Sequence, residues 1–300
     1  MKRLVRFLAE AVKNLIVLFP VIVLRNLYER ACSAEQVGQR SLALRQRREH
    51  ADSGRAESLA EVGFRCYSQN DEDGVLLYVF NLIGATSKTV VEIGAGDGFQ
   101  CNAANLLLNH GWSGLLVDGH PGNVSFARRF YRWDLRTRRF PPTVVHAWIT
   151  AENVNDIIRD NGHAGEIDLL SIDVDGNDYW IWQAIDCVQP RVVMIECNDL
   201  WGAERAVTTP YDPAFATQLT AYGSEFAGAS LPALVKLGRR KGYRLVGTEK
   251  FGFNAVFMRD GVGDAVFPAV EPRQCLQHPR SVFLQRNRPP DAGGRKWVEV

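Results

Sequence analysis

The stretch Thr89-Val-Val-Glu-Ile-Gly-Ala-Gly-Asp-Gly98 constrains this chain more than any other. Thr89 to Ile93 is β-branched apart from Glu92, which favours a short buried strand over a helix. Gly94, Gly96 and Gly98 then let the backbone turn sharply and approach a ligand where a Cβ would clash. The pattern predicts a helix over residues 100–109, opening near Phe99, with its first N–H groups aimed at that ligand. Strand, turn and helix together form the ligand-binding corner of an open α/β fold. A dinucleotide fingerprint, G-x-G-x-x-G, would carry its third glycine inside the helix. Here the glycines alternate and an acidic residue precedes them, so the corner suits a different ligand.

The rest of the chain supplies the sheet. Tyr67-Ser-Gln-Asn-Asp-Glu-Asp-Gly74 precedes an apolar helix at 75–83; Ser68 or Asn70 caps that helix, or the segment contacts the ligand. Gly114-Leu-Leu-Val-Asp-Gly-His-Pro121 reads as a second strand ending in Asp118, about 20 residues beyond the glycine turn. A carboxylate there suits ribose hydroxyls, or else caps the helix opening at Pro121. A third strand is expected at 143–149. Ile167-Asp-Leu-Leu-Ser-Ile-Asp-Val-Asp-Gly-Asn-Asp178 is a buried strand that delivers Asp173 and Asp175 at its carboxyl end, the edge where open α/β sheets bind ligands. Such a pair can act as a base, orient a hydroxyl or hold a divalent cation, and Asp175 or Asn177 can equally cap the next helix. Pro190-Arg-Val-Val-Met-Ile-Glu-Cys-Asn198 brings Glu196 and Asn198 to the same edge. Residues 201–215 form a long loop placed to line a pocket. A helix follows at 230–242, then strands at 243–249 and Asn254–Arg259 joined so tightly that they must be antiparallel. The Pro- and Arg-rich tail from Val262 is expected to wrap the domain with little structure of its own.

Composition narrows the class. Of 300 residues, 46% are apolar and 23% charged, which excludes disordered and collagen-like chains. A net charge of +1 argues against wholesale nucleic-acid binding. The six cysteines form no C-x-x-C pair, which argues against a zinc site or a disulfide framework and for a reducing, cytoplasmic location. Residues 1–30 stand apart: Lys2, Arg3, Arg6 and Lys13 punctuate aliphatic residues, and the uncharged run 14–24 is shorter than the ~20 residues a spanning helix needs. They read as an amphipathic helix on the inner face of an anionic membrane, or as a helix packed on its own domain or a partner; a signal anchor is the third reading. Residues 31–64 are a polar helix or linker, 65–262 the α/β domain and 263–300 the tail. The run 125–140 interleaves Arg128, Arg129, Arg132, Arg136, Arg138 and Arg139 with aromatics. It reads as a solvated helix face, an RNA-binding surface or a seat for phospholipid headgroups.

With these residues in place, the chain resembles the FkbM-like branch of the class I S-adenosylmethionine-dependent methyltransferases. The matching pieces are Tyr67-Ser-Gln, Val91-Glu-Ile-Gly-Ala-Gly-Asp-Gly, Val117-Asp-Gly-His-Pro, Leu170-Ser-Ile-Asp-Val-Asp-Gly-Asn-Asp, Val193-Met-Ile-Glu-Cys-Asn and the final hairpin. The resemblance implies an α/β fold with a Rossmann-like sheet of seven strands, closed by an antiparallel hairpin and flanked by helices. It implies S-adenosylmethionine as cofactor and O-methylation of a hydroxyl on a sugar, glycan or natural product. By position it assigns Glu92, Gly94, Gly96 and Gly98 to the methionine end of the cofactor, Asp118 to the ribose, and Gln69 to cofactor binding. Asp173 falls at the edge facing cofactor and acceptor. The family commonly has D-V-E-G where this chain has Asp173-Val-Asp175-Gly. Asp175 is the first candidate base, followed by Glu196 and His120; Mg²⁺ on Asp173, Asp175 and Glu196 is a less favoured route. The competing classes are a non-catalytic scaffold of a membrane-associated glycan-assembly complex and a D-x-D glycosyltransferase.

Overall fold

The computed structural model describes residues 2–216, 226–287 and 296–300, with the side chains of the first helix described from residue 23 onward. The chain forms two compact units, Met1–Arg48 and Glu49–Val300. One continuous helix, α1 (Lys2–Ser53), spans the first unit and runs through the expected arm into the segment read as a polar helix or linker. Among the described residues no helix is long and apolar enough to cross a membrane. The side chains of residues 1–22, on which the membrane-interfacial expectation rests, lie outside the described residues.

The second unit is a three-layer α/β/α sandwich. It runs α2 (Leu59–Val62), α3 (Glu72–Ile83), β1 (Thr89–Ile93), α4 (Ala104–Asn109), β2 (Ser113–Asp118), α5 (Pro121–Trp133), β3 (Thr143–His146), α6 (Val154–Asp160) and β4 (Gly165–Ile172). It continues with α7 (Asp178–Ala184), β5 (Val188–Glu196), β6 (Val207–Thr208), α8 (Leu231–Arg240), β7 (Tyr243–Thr248) and β8 (Asn254–Arg259). The seven-stranded sheet has the order β3-β2-β1-β4-β5-β8-β7. Pairings from β3 to β5 are parallel, and β8 lies antiparallel between β5 and β7. Seven strands closed by an antiparallel hairpin are what the resemblance implies. Chain order reverses between β1 and β4, and an open α/β sheet binds its ligand in the crevice above such a switch.

Strands covered on both faces lose the polar alternation of a half-exposed sheet. Val91, Ile93, Val117, Val193, Ile195 and Phe257 face α6, α7 and α8, while Val90, Leu116, Val192, Met194 and Val256 face α3, α4 and α5. A buried ion pair ties the layers at the amino end of the sheet. Asp168 on β4 accepts from Arg191 Nη1 at 2.8 Å and from the N–H groups of Thr86, Ser87 and Lys88 at 2.6–3.0 Å.

Three expectations need correction. The helix after the glycine turn opens at Ala104, not near Phe99. Asp97 Oδ1 takes the N–H groups of Phe99 and Gln100, and Glu92 takes those of Asn102 and Ala103, so side-chain acceptors wind this segment before helical bonds do. The third strand stops at His146. The tail has structure of its own: α9 (Pro272–Cys275), α10 (Pro279–Asn287) and β9 (Val298–Glu299). β9 pairs antiparallel with β6, inside the segment expected as a long loop.

Candidate active site at the sheet switch point

The glycine turn curls back over the sheet because Gly94 and Ala95 both donate to the Val117 carbonyl, at 2.9 and 3.0 Å. Its three glycines answer to three different neighbours. A Cβ on Gly94 would stand 1.6 Å from the Asp173 carbonyl oxygen, so the close approach of β1 to β4 permits no side chain there. A Cβ on Gly98 would meet Ala127 Cβ at 2.9 Å, and Tyr131 donates to the Gly98 carbonyl at 2.6 Å; this glycine serves packing against α5. Around Gly96, at φ +54°, a Cβ would meet nothing within 4 Å. The space above it is open, and it opens into a cavity.

Two cavities meet at this turn, with Gly94 on the border of both. Their volumes are about 420 and 410 Å³, within the ~300–1,000 Å³ of small-molecule clefts. The second is walled by Asp118, His120, Trp148, Val174, Asp175 and Phe215. Asp118 accepts from Gly96 N at 2.9 Å through Oδ2 and from His120 N at 2.8 Å through Oδ1, so the carboxylate braces the turn it faces. His120 is exposed and its Nδ1 accepts from Asn123 N, capping α5. The loop after β6 closes this side. Asn177 Nδ2 donates to the Asp212 carbonyl, and Trp148 Nε1 to that of Pro213. Phe215 lies where any Cβ on Gly176 would be, 2.1 Å from its ring.

The first cavity is acidic. Gln69, Glu92, Gly96, Asp173, Glu196 and Asn254 line it. Glu92 is fully buried, and its two oxygens accept from Asn102 N and Ala103 N at 2.9 Å each, so it holds the turn's exit. The carboxylates of Asp173, Asp178 and Glu196 bring oxygens within 4.8 Å of one another. Burial, then repulsion from neighbouring carboxylates, raises Asp173 and Glu196 well above the usual carboxylate range. Burial pushes Asp178 up to about 6, against the N–H groups of Val174 and Gly176 that its oxygens accept at 2.9 Å.

The D-x-D spacing parts its two carboxylates. Asp175 has a left-handed φ of 55°, which carries its side chain to the Asp118 cavity, and Asp178 joins Asp173 instead. The D-x-D spacing gives Asp178 no role, although a carboxylate opening a helix after a glycine is a signal for one. In the sequence Asn254 shows only as the start of a strand. It opens β8 directly opposite Glu196. Buried Glu72 accepts from Asn254 Nδ2 at 2.9 Å, and Asn254 Oδ1, like Glu196 Oε2, is shielded from water without a hydrogen-bond partner in the structure. Unpartnered oxygens on paired residues of β5 and β8 suit a donor, which a ligand hydroxyl or the proton of the raised Glu196 carboxyl can supply.

No family model and no curated protein matches the chain. Among solved structures it is similar to an O-methyltransferase from Bacillus cereus in complex with S-adenosylhomocysteine, at 14% identity over 73% of this chain and 89% of that one (TM-score 0.41). The CcbJ methyltransferase from Streptomyces caelestis aligns at 14% identity over 67% and 96% (TM-score 0.41). The glycopeptide N-methyltransferase MtfA bound to S-adenosylhomocysteine aligns at 13% over 66% and 93% (TM-score 0.40).

Proposed function

We propose that this chain is an S-adenosylmethionine-dependent O-methyltransferase that modifies a hydroxyl of a sugar, glycan or similarly polar acceptor. The observation that carries the reading is the open space over Gly96, set between a ribose-ready carboxylate and an acidic cavity. The residues present fit the cofactor. Asp118 stands at the end of β2 for the ribose hydroxyls, with Trp148 and Val174 as apolar walls for the adenine. Gly96 admits the chain between them, and Gln69 and Gln100 border the far side for the methionine end. Bound there, S-adenosylmethionine supplies a methyl group on a positively charged sulfur.

The chain's own task is to hold the acceptor oxygen in line and to take its proton. Asn254 Oδ1 accepts from one acceptor hydroxyl and orients it, itself fixed by Glu72. Glu196 Oε2 takes the proton from the hydroxyl that becomes methylated. A carboxyl raised toward neutrality by burial is a better base near physiological pH than an ordinary one. Burial is the main cause of that raised value, and repulsion from Asp173, Asp178 and Asp175 adds to it. Asp175 and His120, on the Asp118 side, remain with the cofactor. The same parting of Asp173 from Asp175 counts against a nucleotide-sugar site built on D-x-D.

Calorimetric titration of the full chain with S-adenosylhomocysteine tests the cofactor. Micromolar binding is expected, and a well-folded protein that does not bind overturns the reading. The Asp173, Asp178 and Glu196 oxygens are also close enough to share a divalent cation. Turnover unchanged by a chelator assigns the proton to Glu196 alone, and turnover abolished by it moves the assistance to a cation.

A further inference from the structure

The arginine- and aromatic-rich run after β2 is a strong sequence feature that the candidate site does not use. Val124, Ala127 and Tyr131 bury one face of α5 against the sheet. At the end of its last turn, which Trp133 closes, the chain enters a tight corner that presents Trp133 and Phe140 at 82% and 84% exposure. The corner is held firmly from within. Asp134 accepts the N–H groups of Thr137 and Arg138 on its carbonyl, Thr137 Oγ1 donates to the Tyr131 carbonyl, and Phe140 N to that of Thr137. Two large aromatics on a rigid corner give up hydrophobic burial without gaining flexibility, the mark of a contact surface.

Charge says what kind. Between residues 121 and 142 the only carboxylate is Asp134. It is buried and paired with Arg136 at 2.8 Å, and Arg136 also donates to Tyr67 and Asn109, so that pair belongs to the fold. Arg132, Arg138 and Arg139 are exposed, with no carboxylate partner among the described residues. Unpaired guanidinium groups beside projecting aromatics match the headgroup region of an anionic bilayer, where rings insert at the interface and arginines meet phosphate. Rings so fully exposed stand out from the surface rather than wall a groove, which suits insertion between lipids better than stacking of bases.

We propose that the Trp133–Phe140 corner docks the α/β unit onto an anionic lipid surface. The site is independent of the N-terminal helix and of the methyltransferase reading. The test uses the full chain with vesicles of phosphatidylcholine alone or with a third phosphatidylserine, followed by co-sedimentation and by quenching of tryptophan with brominated lipid. The wild type binds the anionic vesicles, more weakly as salt rises, and its fluorescence is quenched. Arg132→Glu/Arg138→Glu/Arg139→Glu and Trp133→Ser/Phe140→Ser, each checked for an unchanged thermal melt, bind at least tenfold more weakly. Trp133→Phe still binds but loses most of the quenching. Wild-type affinity in both multiple variants, no binding by any form, quenching that survives Trp133→Phe, or preference for a single-stranded RNA over the vesicles overturns the proposal.

Discussion

Gly94 and Gly96 sit two residues apart, and a single methyl separates their roles. Gly94→Ala places a carbon against the Asp173 carbonyl. The switch point must then spread, and a loss of several kcal/mol is expected, measured by urea unfolding. Gly96→Ala meets no atom, and only its left-handed φ resists, at about 1–2 kcal/mol. That variant therefore stays folded while S-adenosylhomocysteine affinity falls, because the new methyl stands in ligand space. Equal stability losses at the two positions would show that the space over Gly96 is not a binding surface. Glu196 belongs to the same scale. Glu196→Gln should keep cofactor affinity and lower kcat by roughly 10²–10⁴-fold. In the proposed role Glu196 works ionised, and since its pKa is raised, wild-type turnover should climb with pH through that value while the variant loses this limb.

At the scale of elements, one carboxylate fastens three of them. Burial of Asp168 opposes its charge, but Arg191 and three backbone N–H groups outweigh that and hold its carboxyl below the ordinary value of 3.8. A depressed pKa stabilises the fold wherever the unfolded carboxyl is ionised, and the contribution disappears as pH falls through the folded value. Asp168→Ala leaves Arg191 buried without its partner and should cost about 3–5 kcal/mol at neutral pH. The gap between variant and wild type in urea midpoints should be flat above about pH 5 and close below about pH 4. A gap independent of pH would mean that the charge contributes nothing. The glycine corner shows the same logic of side chains setting element ends. Asp97 and Glu92 hold four N–H groups, and α4 begins only after them.

For the whole molecule, the last residues act on the cavity from a distance. β9 pairs with β6, Val300 N donates to the Ala206 carbonyl at 3.0 Å, and Trp297 packs edge-on against Trp201 and Phe226. β6 in turn borders Ala229 and Ser230, next to the cavity-lining Ala227 and Gly228. Removing residues 296–300 should leave a cooperative thermal transition, lowered by a few degrees, because the large sheet is untouched. Protease nicking within 201–230 should rise, and acceptor turnover should fall more than S-adenosylhomocysteine affinity. Calorimetry and limited proteolysis check both, and an unchanged digestion pattern would remove the tail from any role at the site.

What the sequence by itself determined is the sheet and its binding corner. β-Branched apolar runs, glycines at φ-demanding positions and a hairpin too short to cross over are local signals, and each acts within a few residues. They placed Asp118, Asp173 and Glu196 at one edge. The tertiary structure decided which of those groups meet. Asp175 turns away on a left-handed residue while Asp178 turns in, a difference of backbone conformation that the D-x-D spacing does not encode. Asn254 is oriented by Glu72 from 182 residues away, and the C-terminal strand finds its partner across the carboxyl half of the chain. Periodicity reports the face a residue presents, whereas partners so far apart in sequence are chosen only when the packed layers bring their strands side by side.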